Sequence, residues 1–204
     1  MKILAVGAHP DDIEYGCCGF LLRMNQEGHE VSLLIVSGGE KGLSDHSRDR
    51  ILEQQMAFDM CGFSQLSIKD FPDGDILCNS LLVSEIESVI RETAPDLILV
   101  NHPNDYHQDH RSVAEAVIAA ARAERGLLFY QAYSAIDFHP DIYVRIDAVV
   151  SKKIEVLHCF RSQIEKNIGK KIDFVECSIS TNRYYGSRIA AEYAEGLCLY
   201  KYIL

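Results

Sequence analysis

Histidine and aspartate side chains are concentrated in two short segments of this sequence, HPDD at residues 9–12 and HQDH at residues 107–110. The proline of the first segment stiffens a turn, and a turn of this spacing can aim His9 and Asp12 at one point. Together the two segments can supply two imidazoles and one carboxylate to a single cation. Three nitrogen or oxygen ligands, with one position left for water, are the composition of a catalytic zinc site.

The side chains that remain in these segments suit hydrolysis. Asp11 could accept a proton from a water molecule that the metal activates. His107 could act as a cation or proton donor toward a tetrahedral intermediate and a leaving amine. Asp109 lies two residues further on, so we expect it to orient the His107 ring and to raise its pKa.

Two other functions are compatible with the same ligand types. A set of two histidines and one carboxylate can also hold non-haem Fe(II) for oxygen chemistry. A non-catalytic module that binds a metal or a sugar needs the ligands alone, so the presence of Asp11 and His107 beside them speaks against it. Asp11 and Asp12 could instead cap a helix, but two separate clusters of histidine and aspartate are harder to explain by capping.

Apolar strands alternate with amphipathic helices along the chain, which predicts βαβ units, a mostly parallel sheet and helices on both of its faces. Strands are predicted at residues 2–7, 31–36, 66–68, 96–100 and 142–146, with a further apolar segment at 127–132. Helices are predicted at residues 16–28, 47–60, 81–92, 112–123 and 148–166, followed by a last helix and a short apolar tail.

The two polar segments follow two of these strands directly, the first at residues 2–7 and the second at 96–100. In open parallel sheets, ligands bind beyond the carboxyl ends of the strands. The sequence therefore predicts that both segments contribute to one site. The GxGxxG pattern is absent after the first strand, which disfavours the dinucleotide-binding version of this fold.

The composition is that of one soluble globular domain spanning residues 1–204. The net charge of −10 argues against binding to nucleic acid or to an anionic membrane surface. No apolar run reaches the roughly 18 residues of a membrane span, and we do not expect the N-terminus to be a signal peptide. Seven cysteines without a CxxC pair indicate reduced thiols, so we expect a cytoplasmic protein.

Two sequence blocks, AHPDDIEYGCCG at residues 8–19 and HPNDYHQDH at residues 102–110, resemble the PIG-L/LmbE-like family of zinc-dependent de-N-acetylases. Weaker similarities at residues 50–62, 71–74, 153–163 and 185–195 extend the resemblance over nearly the whole chain. The resemblance implies a Rossmann-like α/β fold and one zinc ion per chain.

The resemblance also implies a role for each residue that matches the family's motifs. The implied metal ligands are His9, Asp12 and His110, the implied general base is Asp11, and the charged pair near the oxyanion is His107 with Asp109. Arg50 and Asp73 stand where family members place side chains that contact the substrate. The expected substrate is an N-acetylglucosamine-type sugar or its conjugate, and family members often form homo-oligomers.

Overall fold

The computed structural model describes residues 1–42, 47–168 and 173–203. Within these ranges, seven strands and eight α-helices follow one another in the order β1 (Lys2–Gly7), α1 (Asp12–Gly16), α2 (Cys18–Gln26), β2 (Glu30–Ile35), α3 (Ser47–Cys61), β3 (Gln65–Ile68), α4 (Ser80–Thr93), β4 (Leu97–Asn101), α5 (Gln108–Ala120), β5 (Gly126–Tyr130), β6 (Ile142–Arg145), α6 (Val150–Leu157), α7 (Arg161–Ile168), α8 (Phe174–Ser187) and β7 (Ala194–Tyr202). Two short 3-10 turns lie at Glu40–Gly42 and Ala121–Ala123.

The strands form one sheet in the order β3-β2-β1-β4-β5-β7-β6. The pairings from β3 to β5 are parallel, and β7 is antiparallel to both of its neighbours. This arrangement confirms the predicted α/β fold with a mostly parallel sheet. None of the helices in the described ranges combines the length and the apolar character needed to cross a membrane.

Each face of the sheet carries its own apolar core, because successive residues of a strand point to opposite faces. Ile3 and Ala5 of β1 lie in one core, which contains residues of α2, α6 and α8. Leu4 and Val6 lie in the other core, which contains residues of α4 and α5. Burial on both faces explains why β1 is a continuous apolar run.

The C-terminal third of the chain differs from the prediction. The helix predicted at 148–166 is two helices, α6 and α7, separated by a turn in which Phe160 is fully buried. The predicted apolar tail is β7, a nine-residue strand inserted between β5 and β6. The hydrophobic periodicity of the C-terminal segment cannot reveal that β7 pairs with β5 and β6, because strand pairing depends on segments that lie elsewhere in the sequence.

A buried ion pair ties this C-terminal part to the first polar segment. Lys153 of α6 and Glu195 of β7 are both fully buried, and Lys153 Nζ lies 2.7 Å from Glu195 Oε1. The Lys153 ammonium also donates to the Tyr15 carbonyl at 2.8 Å. The Glu195 carboxylate accepts the backbone N–H groups of Gly19 (2.8 Å) and Phe20 (2.6 Å) in the first turn of α2. The pair therefore fixes the end of α1 and the start of α2 against the rest of the molecule.

Candidate metal centre and active site

The two polar segments meet at one edge of the sheet because the strands that precede them are neighbours. β1 and β4 are paired in parallel, with Val6 opposite Val100. The segment after β1 forms a turn that leads into α1, and the segment after β4 leads into the N-terminus of α5. Sheet pairing thus brings residues about a hundred positions apart in sequence to one site.

The Asp12 carboxylate lies between two imidazoles. Its Oδ1 is 3.2 Å from Nε2 of His110, and its Oδ2 is 3.7 Å from Nδ1 of His9. All three side chains are buried. Two donors about 2.0–2.1 Å from a tetrahedral zinc ion lie roughly 3.3 Å apart, so Asp12 Oδ1 and His110 Nε2 are spaced as two ligands of one ion, while His9 faces the other oxygen of Asp12.

The second nitrogen of each of these imidazoles contacts a carboxylate on its far side. His110 Nδ1 lies 2.9 Å from Asp105 Oδ2, and His9 Nε2 lies 3.0 Å from Asp109 Oδ2. A metal-binding histidine commonly donates its other ring N–H to a carboxylate, which fixes its tautomer and orientation. His9 Nε2 also lies 3.1 Å from Asp73 Oδ1.

These contacts control the charges of the buried groups. Burial lowers the pKa of His9, but hydrogen bonds to Asp109 and Asp73 outweigh burial and raise it to about 9. Burial likewise lowers the pKa of His110, while Asp12 and Asp105 raise it to about 10. Burial opposes ionisation of Asp12, yet His110 and His9 hold its pKa well below the usual range. The cluster consequently favours ionised carboxylates.

Asp11 does not use its side chain to cap the following helix. It is the N-cap residue of α1, but its carboxylate makes no capping hydrogen bond and instead accepts from Arg50 Nη2 at 3.2 Å. Burial raises the pKa of Asp11 to about 6, although the Arg50 charge opposes the rise. An ionised carboxylate with a pKa near neutrality is suited to accepting a proton.

The structure differs from the expected pairing of His107 with Asp109. His107 is the N-cap of α5, and its Nδ1 accepts the backbone N–H of Asp109 at 3.3 Å. The Asp109 carboxylate turns away, to His9 and to the backbone N–H groups of Gly74 (2.6 Å) and Ile76 (3.2 Å). Side chains two positions apart at a helix start point in different directions, whereas the first helical N–H groups are free to bond the N-cap residue.

The pKa of His107 also differs from the expectation. Burial lowers it, and the positive charges of His110 and His9 lower it further, while Asp109 opposes the change only in part. A neutral His107 whose Nδ1 accepts a hydrogen bond carries its proton on Nε2. His107 is therefore a hydrogen-bond donor rather than a fixed cation.

Two overlapping groups of described side chains have donor atoms within 4.8 Å of one another. One group contains His9, His107 and His110, and the other contains His9, Asp73, His107 and Asp109. His107 is thus close enough to the other donors to compete as a metal ligand.

A cavity of about 390 Å³ opens onto the cluster. Besides the ligand candidates, its walls include two cationic side chains, two aromatic rings and two hydrogen-bonding side chains, namely Lys41, Lys166, Tyr133, Phe174, Ser134 and Gln163. Arg50 and Asp73, the expected substrate contacts, also line this cavity.

Comparison with known proteins identifies the chain's relatives. Residues 4–121, more than half of the chain, match the family described as "PIG-L: GlcNAc-PI de-N-acetylase". The chain belongs to this family. PIG-L membership makes it a hydrolytic enzyme of the de-N-acetylase class, and it gives no support to an oxygenase or to a non-catalytic binding module.

Three known proteins illustrate what the chain is similar to. It is 32% identical over 149 residues (69% of this chain, 80% of the relative) to the "uncharacterized deacetylase YaiS" of Escherichia coli strain K12. It is 25% identical over 220 residues (96% of this chain, 82% of the relative) to the diacetylchitobiose deacetylase of Thermococcus kodakarensis. The crystal structure of the conserved protein TT1542 from Thermus thermophilus superposes with a TM-score of 0.87 at 26% identity, covering 99% of this chain and 95% of that chain.

Sequence reasoning missed two residues of this PIG-L site. Asp105 is buried, and besides His110 its carboxylate accepts from the Ser134 hydroxyl at 2.6 Å and from the His107 backbone N–H at 2.7 Å. The sequence feature that could have identified Asp105 is its position inside the block at residues 102–110. Gln54 is also buried and contacts the backbone of Asp11; its only signal in the sequence was its position four residues after Arg50, on the same face of the predicted helix.

Proposed function

We propose that this PIG-L enzyme is a zinc-dependent de-N-acetylase that removes the acetyl group from an N-acetylglucosamine-type sugar or its conjugate. The observation that carries the proposal is the buried donor set of two imidazoles and one carboxylate, with Asp11 beside it and a cavity of about 390 Å³ in front of it. Binding alone would not need Asp11.

The residues present fit one metal ion per chain. His9, Asp12 and His110 would hold it, and the carboxylates of Asp109 and Asp105 would fix the two imidazoles. Such a donor set is typical of catalytic zinc and can also hold Fe(II), so zinc is the proposed ion and Fe(II) its competitor. When bound, the ion would polarise the acetyl carbonyl and lower the pKa of a water molecule.

Asp11 would serve as the general base by accepting a proton from the attacking water. Its carboxylate lies beside the donor set, and Arg50 holds one of its oxygens. In this position the Asp11 carboxylate would lie near the attacking water without binding the metal ion itself. A general base of this kind contributes roughly 10²- to 10⁴-fold to the rate.

His107 would stabilise the oxyanion of the tetrahedral intermediate through its Nε2–H. The hydrogen bond from the Asp109 backbone N–H occupies Nδ1 and thereby selects this tautomer. Asp109 would therefore assist His107 through its main chain, and His9 through its carboxylate.

Arg50 and Asp73 remain the proposed substrate contacts at the cavity wall. Arg50 uses its Nη atoms for protein contacts, while its buried Nε has no hydrogen-bond partner among the described residues. Tyr133 is half exposed and lines the same cavity as Phe174. Aromatic rings with a few polar groups are typical of sugar sites.

The test is acetate release by the zinc-loaded protein from N-acetylglucosamine, N,N'-diacetylchitobiose and UDP-N-acetylglucosamine, with Asp11→Asn as the catalytic control. We expect release that depends on zinc and falls by at least about 10²-fold in Asp11→Asn. Release that the variant retains would contradict the role of Asp11. Activity that requires Fe(II) and not zinc would overturn the choice of metal.

We further propose a cytoplasmic homo-oligomer. All seven cysteines are free thiols, which is typical of a reducing compartment. Leu52, Met56 and Met60 are exposed at four-residue intervals on α3, so they form an apolar stripe of the kind that subunit contacts cover. Sedimentation analysis of the wild type and Met56→Glu tests the proposed oligomer, and a monomeric wild type would overturn it.

A further inference from the structure

Gln54 lies on α3 beneath the turn that carries Asp11. Its side chain is fully buried, and it bonds two groups of the first polar block. Gln54 Oε1 accepts the backbone N–H of Asp11 at 3.3 Å, and Nε2 donates to Glu14 Oε1 at 2.7 Å. One amide thus joins the main chain at Asp11 to a buried carboxylate of α1.

Arg50, four residues earlier, acts on the same turn from the same face of α3. Its Nη2 donates to the Pro10 carbonyl at 2.7 Å and to the Asp11 carboxylate at 3.2 Å. Its Nη1 donates to the Gly39 carbonyl at 3.1 Å. A Cβ at Gly39, where φ is +71°, would overlap the guanidinium, so this close approach requires glycine.

The turn that these side chains hold is conformationally unusual. Asp11 has φ 91° and ψ −24°, in the left-handed region that residues other than glycine seldom occupy. Such conformations persist only when surrounding contacts determine them, and they occur preferentially at active sites. The direction of the Asp11 carboxylate follows from this backbone conformation.

We propose that Gln54 is a positioning residue for the general base. It holds the Asp11 backbone in the left-handed conformation, while Arg50 holds the carboxylate, so that the carboxylate is aimed at the attacking water. This inference rests on the proposed function, because it assumes that Asp11 accepts the proton. Gln54 contacts none of the proposed metal ligands by a hydrogen bond in the described structure.

The first experiment compares Gln54→Ala with Gln55→Ala. Gln55 is the neighbouring residue of the same type, but it is exposed and its side chain donates to the surface residue Asp59 at 2.8 Å. With the N-acetylglucosamine compound that the wild type hydrolyses fastest, we expect Gln54→Ala to lower kcat by about 10- to 100-fold. We expect KM and the visible absorption spectrum of bound Co²⁺ to stay unchanged, since the metal ligands keep their contacts. Gln55→Ala should match the wild type throughout.

Two further variants separate hydrogen bonding from packing. Gln54→Met keeps most of the side-chain volume but removes the acceptor, so kcat should remain low. Gln54→Glu places a second carboxylate against Glu14, and adding Glu14→Gln exchanges donor and acceptor so that both hydrogen bonds re-form. The double variant should therefore recover most of the lost kcat. Full activity of Gln54→Met would overturn the inference.

Hydrogen–deuterium exchange over residues 9–16 tests the same contact without turnover. Gln54→Ala should exchange faster in this segment than Gln55→Ala, because the Asp11 N–H loses its acceptor. Identical exchange in the two variants would overturn the inference even if no substrate were found. Absence of acetate release by the wild type would count instead against the proposed function, so the two failures are distinguishable.

Discussion

At the residue scale, buried carboxylates lie behind the two imidazoles that we propose as metal ligands. Asp105 holds His110 and Asp109 holds His9, and each carboxylate also accepts a backbone N–H. Removal of such a partner typically weakens metal affinity by roughly 10- to 100-fold, because the imidazole loses its fixed tautomer and some of its basicity.

Asp105→Asn tests this arrangement. We expect the affinity for Zn²⁺, measured by competition with a chromogenic chelator, to fall by about 10- to 100-fold. Asp59→Asn, at an exposed position of α3, is the control and should bind Zn²⁺ like the wild type. Equal affinities in the two variants would show that Asp105 does not support the metal site.

His107→Ala decides between an oxyanion donor and a metal ligand. As an oxyanion donor, His107 can be removed at a cost of about 10²- to 10³-fold in kcat, with the zinc stoichiometry unchanged. Metal analysis of the purified variant measures the stoichiometry beside the rate. Loss of the zinc would instead favour the group formed by His9, His107 and His110.

At the scale of elements, the ion pair of α6 and β7 positions the first polar block from behind. Both charged groups are fully buried, and the Glu195 carboxylate accepts the first N–H groups of α2. Removing one partner of a buried pair leaves an uncompensated charge, which typically costs about 3–5 kcal/mol.

We therefore expect Lys153→Met to lower the free energy of unfolding by about 3–5 kcal/mol in urea denaturation. Its sequence neighbour Lys152 makes an exposed pair with Glu155 at 3.2 Å, and Lys152→Met should change stability by no more than about 0.5 kcal/mol. An equally small loss of unfolding free energy in both variants would show that the Lys153–Glu195 ion pair does not anchor α2.

At the scale of the whole molecule, the apolar cores and the proposed metal site lie in different parts of the fold. The two apolar cores lie on opposite faces of the sheet, whereas the proposed metal donors lie at one edge of it. The metal-free protein should therefore keep its fold, and bound zinc should add stability by mass action.

Chelation and reloading measure that added stability. Zinc at 100 times its Kd should stabilise the native state by about 2.7 kcal/mol, which corresponds to a rise in Tm of roughly 5–11 °C for a chain of this size. Asp12→Ala should show a much smaller rise. Treatment with EDTA should leave the far-ultraviolet circular dichroism spectrum unchanged, and loss of that spectrum would mean that the fold itself needs the metal.

The sequence by itself determined the parallel sheet and the two polar segments at its edge. Burial of a strand on both faces produces an apolar run such as β1, and the polar segments follow such runs directly. The local sequence pattern was therefore sufficient to predict the sheet and to place the two segments at its edge. The resemblance then supplied the family, which the match over residues 4–121 confirms.

Only the tertiary structure decided which atoms face each other. The carboxylate of Asp109 contacts His9 and not His107, because the start of α5 directs the two side chains apart. Gln54 and Gln55 are identical in type, and only the orientation of α3 buries one of them beneath Asp11. The insertion of β7 between β5 and β6 likewise depends on pairing between distant segments. Such contacts depend on how whole helices and strands pack against one another. The hydrophobic periodicity of a single segment does not determine that packing.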